Sequence, residues 1–199
     1  MNRLRQIGRC EQTIRNSRFI GVCGPAEDEA DAKAFIEQHG APGCRHVCFA
    51  YRCGDIVRFE DAGEPGGTAG RPILAALEHW DLDCSVAVVS RFFGGVKLGT
   101  GGLARAYGGT AMEAIADAGT EPIIETCRFE CQVPFESAGD LHLLAERVGA
   151  LKHDEQWDET GLRLTVEIER TSVDSFSHEL AEITRGAGSV KLKRQESCE

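Results

Sequence analysis

From Cys84 to Met112, 29 consecutive residues contain no aspartate or glutamate, in a chain that holds 32 acids against 22 lysines and arginines. Even scattering would put about four or five acids there, so their absence marks a surface kept clear for an anion. The stretch reads CSVAVVSRFFGGVKLGTGGLARAYGGTAM: an apolar run, a glycine-rich loop with Arg91 and Lys97, then a helical pattern carrying Arg105. Seven of the sixteen residues from Gly94 to Gly109 are glycine. Such a segment constrains the fold to a buried strand that runs through a tight turn into a helix. Glycine exposes successive backbone N–H groups, and a helix N-terminus adds partial positive charge, so phosphate or carboxylate suits the turn. The expected anion ligands are Arg91, Lys97 and Arg105 with the amides of Gly94, Gly95, Gly99, Gly101 and Gly102.

The 199 residues suffice for two compact domains of roughly 100 residues each. Hydrophobic residues at 42% and charged residues at 27% are the values of a globular protein. Residues 1–122 carry 13 basic and 16 acidic residues, net −3, and residues 123–199 carry 9 and 16, net −7, together the chain's −10. An acidic body argues against non-specific duplex binding, which needs a broad basic face, but leaves room for a local basic groove. The nine cysteines are an odd number, and no apolar signal core follows Met1–Arg5. No segment reaches the roughly 20 apolar residues of a membrane span. A cytoplasmic protein with reduced thiols and no membrane contact is expected.

Two strands from Cys10 to Cys23 flank a turn at Asn16–Ser17, and a helix over Pro25–Gly40 turns Ala30, Ala34 and Phe35 inward. Residues 45–53 alternate as a strand. Asp61–Pro72 is a loop, Ile73–Trp80 a short helix, Val86–Val89 a buried strand and Gly102–Ala118 a helix. Gly108 and Gly109 inside that helix each cost about 1 kcal/mol relative to alanine, which predicts a close packing neighbour. Pro122 marks a boundary between domains 1–122 and 123–199. Beyond it, Cys127, Phe129, Cys131 and Val133 alternate as a strand with one wet face. Ser137 caps a helix with Asp140 in the capping-box position and Leu141, Leu144, Ala145 and Val148 on its inner stripe. A weak strand over 151–157, a strong one carrying Leu162, Leu164, Val166 and Ile168, a helix with Val173, Phe176, Leu180 and Ile183, and a strand with Val190 and Leu192 complete a βαββαβ order. That order is ferredoxin-like, and the fold class is α+β.

Phosphate motifs test the glycine loop. Lys97 stands between Val96 and Leu98, which breaks the Walker A pattern, and Gly99-x-Gly101-x-x-Ala104 begins ten residues after Val89, too far from a strand for a dinucleotide turn. A second loop, Asp61–Arg71, carries Asp61, Glu64, Thr68 and Arg71, is held by two prolines, Pro65 and Pro72, and is expected to line the same cleft. Cys44, His46 and Cys48 share a strand face. Without a CxxC or HxxxH partner they read as buried thiols and a hydrogen-bonded imidazole, and no metal is assigned. No Gly-x-Ser-x-Gly elbow surrounds any serine, so no catalytic residue is assigned either.

Several blocks in chain order carry a resemblance: Ser17-Arg18-Phe19-Ile20, His46-x-Cys48-x-Ala50-Tyr51-Arg52, Gly63-Glu64-Pro65-x-Gly67-Thr68-Ala69-Gly70-x-Pro72, and Arg91-Phe92-Phe93-Gly94-Gly95-x-Lys97-Leu98-Gly99-x-Gly101-Gly102-Leu103-x-Arg105-Ala106-Tyr107. Over residues 15–120 the chain resembles the YigZ/IMPACT family. It departs where Ala62 replaces a usual second aspartate and Phe92 a frequent tyrosine. The resemblance implies a first domain similar to the second domain of the ribosomal protein S-five superfamily. It also implies a second domain similar to the C-terminal domain of elongation factor G. The family's eukaryotic member regulates translation under amino-acid stress by competing for the activator of an initiation kinase; this chain is expected to have the two-domain form without that relative's extra N-terminal protein-binding domain, so that partner is not expected here. The expected function is non-enzymatic translation regulation. RNA or a ribosome-associated protein would bind the basic glycine cleft at Arg91, Lys97, Arg105, Asp61, Glu64, Thr68, Arg71 and His46, with Phe92 and Phe93 stacking on bases if exposed, against the commoner core role of paired phenylalanines, and no cofactor. The alternative is a phosphate- or nucleotide-dependent enzyme of the small-molecule kinase fold, and a third reading is a protein-docking module whose acidic second domain meets a basic partner.

Overall fold

A computed structural model describes residues 1–192 of the chain, so the last residues of the acidic second domain lie outside the described part. The chain divides into two compact units, the first Met1–Ile123 and the second starting at Ile124.

The first unit is built on a five-stranded antiparallel sheet in the order β2-β3-β6-β4-β5, with β2 Gly8–Ile14, β3 Ser17–Pro25, β4 His46–Cys53, β5 Ile56–Glu60 and β6 Ser85–Phe92. Helices α2 (Gly70–His79) and α3 (Thr100–Ala118) cover one face, where Phe19, Cys48, Ala50, Val89, Ile73, Leu77 and Tyr107 form the larger core. Helix α1 (Glu29–His39) covers the other with Ala32 and Phe35 against Val22, Tyr51, Val86 and Val88. Ser85 to Arg91 are all buried, because a central strand sandwiched between helices has no wet face. A short pair, β1 (Asn2–Leu4) with β7 (Thr120–Pro122), joins the two ends of the unit.

Several expectations are corrected. Residues Arg15 and Asn16 carry positive φ of 45° and 66°, so the hairpin turns one residue earlier than Asn16–Ser17, as a two-residue loop with both φ values positive does. Helix α1 starts after Asp28, whose carboxylate accepts from the Asp31 amide at 2.8 Å. That start leaves Ala30 and Ala34 exposed and puts Ala32 beside Phe35. Strand β6 runs past Val89, so Arg91 and Phe92 lie on a strand rather than in the loop. Strands β1, β5 and β7 were not anticipated. A Cβ on Gly108 would meet Pro72 at 3.5 Å, an ordinary contact, and one on Gly109 would meet nothing within 4 Å, so packing requires neither glycine.

The second unit comprises β8 (Thr126–Val133), α4 (Ala138–Arg147), β9 (Leu151–Asp158), β10 (Gly161–Glu169), α5 (Val173–Ile183) and β11 (Ser189–Leu192), with antiparallel sheet order β11-β8-β10-β9. Both helices pack on one face, over Phe129, Cys131, Val133, Leu162, Leu164, Val166 and Ile168, with Leu141, Leu144, Phe176 and Leu180 facing them. A single 3-10 turn, Phe135–Ser137, precedes α4, and Ser137 makes no side-chain cap bond, contrary to the capping-box expectation. Ile183 stays 37% exposed as the last residue of α5. The architecture is α+β. Among the described residues no helix is long and apolar enough to cross a membrane.

Candidate anion-binding site

The two glycine loops do meet, but the meeting point is closed. Arg91 on β6 is 6% exposed, and its Nη1 donates to Glu64 Oε1 at 2.7 Å. The Tyr107 hydroxyl on α3 donates to the same oxygen at 2.8 Å, and Arg91 Nη2 reaches Ser17 Oγ at 3.4 Å. The ring of Tyr107 meets Phe19 edge-on at 5.3 Å, while the Arg91 guanidinium lies between Phe19 and the exposed Phe93, at 5.6 and 5.4 Å from their centroids. Burial above all, then the neighbouring Cys48 and Glu64, pushes the Tyr107 hydroxyl up, so it stays a proton donor to Glu64. Arg91 is therefore not one of three converging anion ligands: its charge is spent inside the fold on Glu64.

The Asp61–Arg71 loop is likewise built from within. The Asp61 carboxylate accepts from Gly67 at 2.7 Å, Ala69 at 2.9 Å and Gly70 at 2.8 Å. Partial burial pushes its carboxyl up, but the three amides outweigh that and hold it below the usual range. Thr68 donates its hydroxyl to Pro65 O at 2.6 Å, and His46 Nδ1 lies 2.9 Å from Ala62 O. The position where the family usually has a second aspartate thus contributes a backbone carbonyl, with Ala62 at φ 45°. Cys44 and Cys48 donate to the carbonyls of Arg91 and Asp61, at 3.0 and 3.1 Å, and burial lifts the Cys48 thiol to about 12. Gly94 is a close-approach glycine: a Cβ would stand 1.9 Å from Asn16 O, and its amide is engaged with Ser17 Oγ at 3.2 Å. Arg71 stacks over Phe59 at 5.5 Å, and Arg18 covers one face of the half-buried Phe92 at 4.7 Å, whereas Phe93 is exposed.

What remains open lies one turn further along, at the start of α3. Gly99, at φ 74°, precedes the helix and supplies no side-chain cap, and the first turn holds no acid. The first internal bond runs from the Leu103 amide to Gly99 O at 2.9 Å, so helix geometry leaves the amides of Thr100, Gly101 and Gly102 without intrahelical acceptors. A hollow of about 190 Å³ opens here, lined by Ile14, Arg15, Leu98, Gly102, Arg105 and Ala106. Lys97 and Gly95, with φ 86°, are exposed on the loop before it. Among the described residues Arg15, Lys97 and Arg105 form no ion pair.

The structure thus brings Arg105 and Gly102 together, with Lys97, Gly99 and Gly101 on the approach. Arg91, Gly94, Asp61, Glu64, Thr68 and His46 belong to the scaffold beneath. Arg15 is not among the expected ligands, because a turn at Asn16–Ser17 puts it at the end of a strand, whereas the structure places it in the turn itself. Its signal was the two-residue Arg15-Asn16 link between alternating runs.

The two anchored glycine loops lie on an antiparallel sheet packed against α2 and α3. Residues 15–115 match the Impact N-terminal domain. The chain is 43% identical over 155 residues to an IMPACT family member in the pol 5′ region of Thermus thermophilus, covering 78% of this chain and 86% of the relative. It is 33% identical over 184 residues to the IMPACT family member YigZ of Escherichia coli, covering 88% and 89%. A crystal structure described only as a hypothetical protein superposes with a TM-score of 0.67 at 29% identity over 98% of each chain. The chain belongs to the IMPACT family.

Proposed function

We propose that the chain is a non-enzymatic, cytoplasmic, translation-associated regulator that binds single-stranded RNA through backbone phosphate at the start of α3. The observation that carries this reading is the combination of three unpaired cations, Arg15, Lys97 and Arg105, with a glycine-led helix start that has no acid in its first turn. Phosphate oxygens suit both the free amides and the guanidinium groups, while Ile14 and Leu98 offer an apolar floor for sugar or base. The strand order β11-β8-β10-β9 supports a ferredoxin-like second unit similar to the C-terminal domain of elongation factor G, and the first unit is read as similar to the second domain of ribosomal protein S-five. Both likenesses suit a protein that works on RNA. The alternative of a magnesium-nucleotide enzyme loses its natural ligands, since Asp61 is engaged by three amides and Glu64 by Arg91 and Tyr107.

Affinity for a single-stranded RNA should fall steeply with salt, and Lys97→Ala or Arg105→Ala should each flatten the log–log slope by roughly 0.7 to 1. Salt-independent binding, or slopes unmoved by either variant, would overturn the reading. A thermal midpoint raised by magnesium-nucleotide would instead favour the enzyme.

A further inference from the structure

The second unit ends its sheet on an unguarded strand. In the order β11-β8-β10-β9, the outer edge of β9 faces no other strand among the described residues, and Leu151 to Trp157 are all exposed. The register from Asp158 opposite Gly161 to Asp154 opposite Thr165 is unbroken, and the one irregularity lies beyond it, at Thr165/Val166. An open edge without a register break therefore runs along Asp154–Asp158.

Beside it sits an aromatic shelf. Trp157 is 53% and Phe135 58% exposed, and their rings stack at 5.9 Å with 18° between planes. The Trp157 indole N–H donates to Glu155 Oε1 at 3.0 Å, which fixes the ring's direction. Trp157 pairs with Leu162 and Glu155 with Leu164, both core residues, so the shelf and Glu155 lie on the helix side of the edge. Asp154 and Gln156, opposite Thr165 and Arg163, lie on the other side. Paired, outward aromatics of this size are what protein contact sites present.

Charge selects the occupant. Asp154, Glu155, Asp158 and Glu159 stand on or just after β9, and Glu136 is next to Phe135. Asp158 is paired with Arg163 at 2.9 Å, Glu155 faces His142 at 3.7 Å, and Lys152 is paired with Glu146 at 3.4 Å, so Asp154 and Glu159 supply most of the uncompensated negative charge. Two copies of this edge would set like charges opposite each other, and a nucleic acid would meet the same acids, so both are disfavoured. A cationic extended chain fits. Its backbone would continue the ladder, one set of side chains would lay guanidinium groups on Trp157 and Phe135, and the alternate set would reach Asp154.

We propose that the β9 edge and its Trp157–Phe135 shelf dock an extended, arginine-rich protein segment as a fifth strand of this sheet. The full chain is titrated calorimetrically with a decapeptide alternating arginine and valine, and amide exchange is followed in parallel. Saturable binding is expected, with slowed exchange along Asp154–Asp158 and an affinity more than about tenfold weaker in Trp157→Ala. Interleaving prolines into the peptide should abolish binding, because proline cannot donate to the ladder. Asp154→Lys, at an exposed position, provides an independent variant with the same expected loss should Trp157→Ala fold poorly. Equal binding of the proline peptide, protection outside β9, stronger protection of β9 by RNA, self-association through β9, or no binding would each overturn the proposal.

Discussion

Arg91 and Arg105 come from one acid-free stretch and look alike in sequence, yet they end in opposite circumstances. Arg91 leaves a sheet strand, sinks between Phe19 and Phe93 and is held by Glu64 and Ser17. Arg105 leaves the first turns of α3, lines a hollow and has no partner among the described residues. The contrast teaches that an absence of acids nearby in sequence says little about a cation's availability. The acid that neutralises Arg91 comes from another loop, so the closed junction is a long-range product of topology and the open entrance a local one.

The largest expected effect breaks the closed side. Removing one partner of a buried ion pair strands the other, so Arg91→Ala or Glu64→Ala should each destabilise the first unit by about 3–5 kcal/mol, read by denaturant unfolding. Loss below about 1 kcal/mol would mean that the pair is in reach of water and that Arg91 belongs with the open cations after all.

Glycines sharpen the same comparison. At Gly94 a Cβ would run into the Asn16–Ser17 peptide group where the chain leaves the hairpin turn, at Asn16 O and Ser17 N, so Gly94→Ala should cost about 1–3 kcal/mol. Gly109, in the helical part of the same stretch, has open space, so Gly109→Ala should stabilise by about 0.5–1 kcal/mol through helix propensity alone. Thermal midpoints of the two variants should therefore move in opposite directions.

Much of this was readable along the chain, and what was not has a physical cause. The strong alternation of Leu162, Leu164, Val166 and Ile168 and the helical stripe of Leu141, Leu144 and Ala145 specify their elements locally, and each side chain is buried as its period demands. The phase of α1 was misread because two alanines carry little hydrophobic signal, and the Asp28 cap, not the alanine spacing, sets where the helix begins. β5 went unseen because all five of its residues are exposed, so nothing in its pattern marks a buried face. At the site, sequence led to the same acid-free stretch and helix start on which the proposed reading rests. It could not separate Arg91 from Arg105, because that distinction depends on Glu64 and on where β6 ends.

The smallest expected effect is the one that isolates the open side. An exposed arginine without an ion pair contributes little to folding, so Arg105→Ala should change unfolding free energy by no more than about 0.5 kcal/mol, in the same denaturant experiment that registers Arg91→Ala. RNA affinity should respond in the opposite sense, falling in Arg105→Ala although stability is unmoved. The Arg91 variant, if compared at a temperature where it remains folded, should lose affinity only as far as its altered loop disturbs the α3 entrance. A stability loss in Arg105→Ala as large as that in Arg91→Ala would place both arginines in one structural network, and the division between a closed junction and an open entrance would fail.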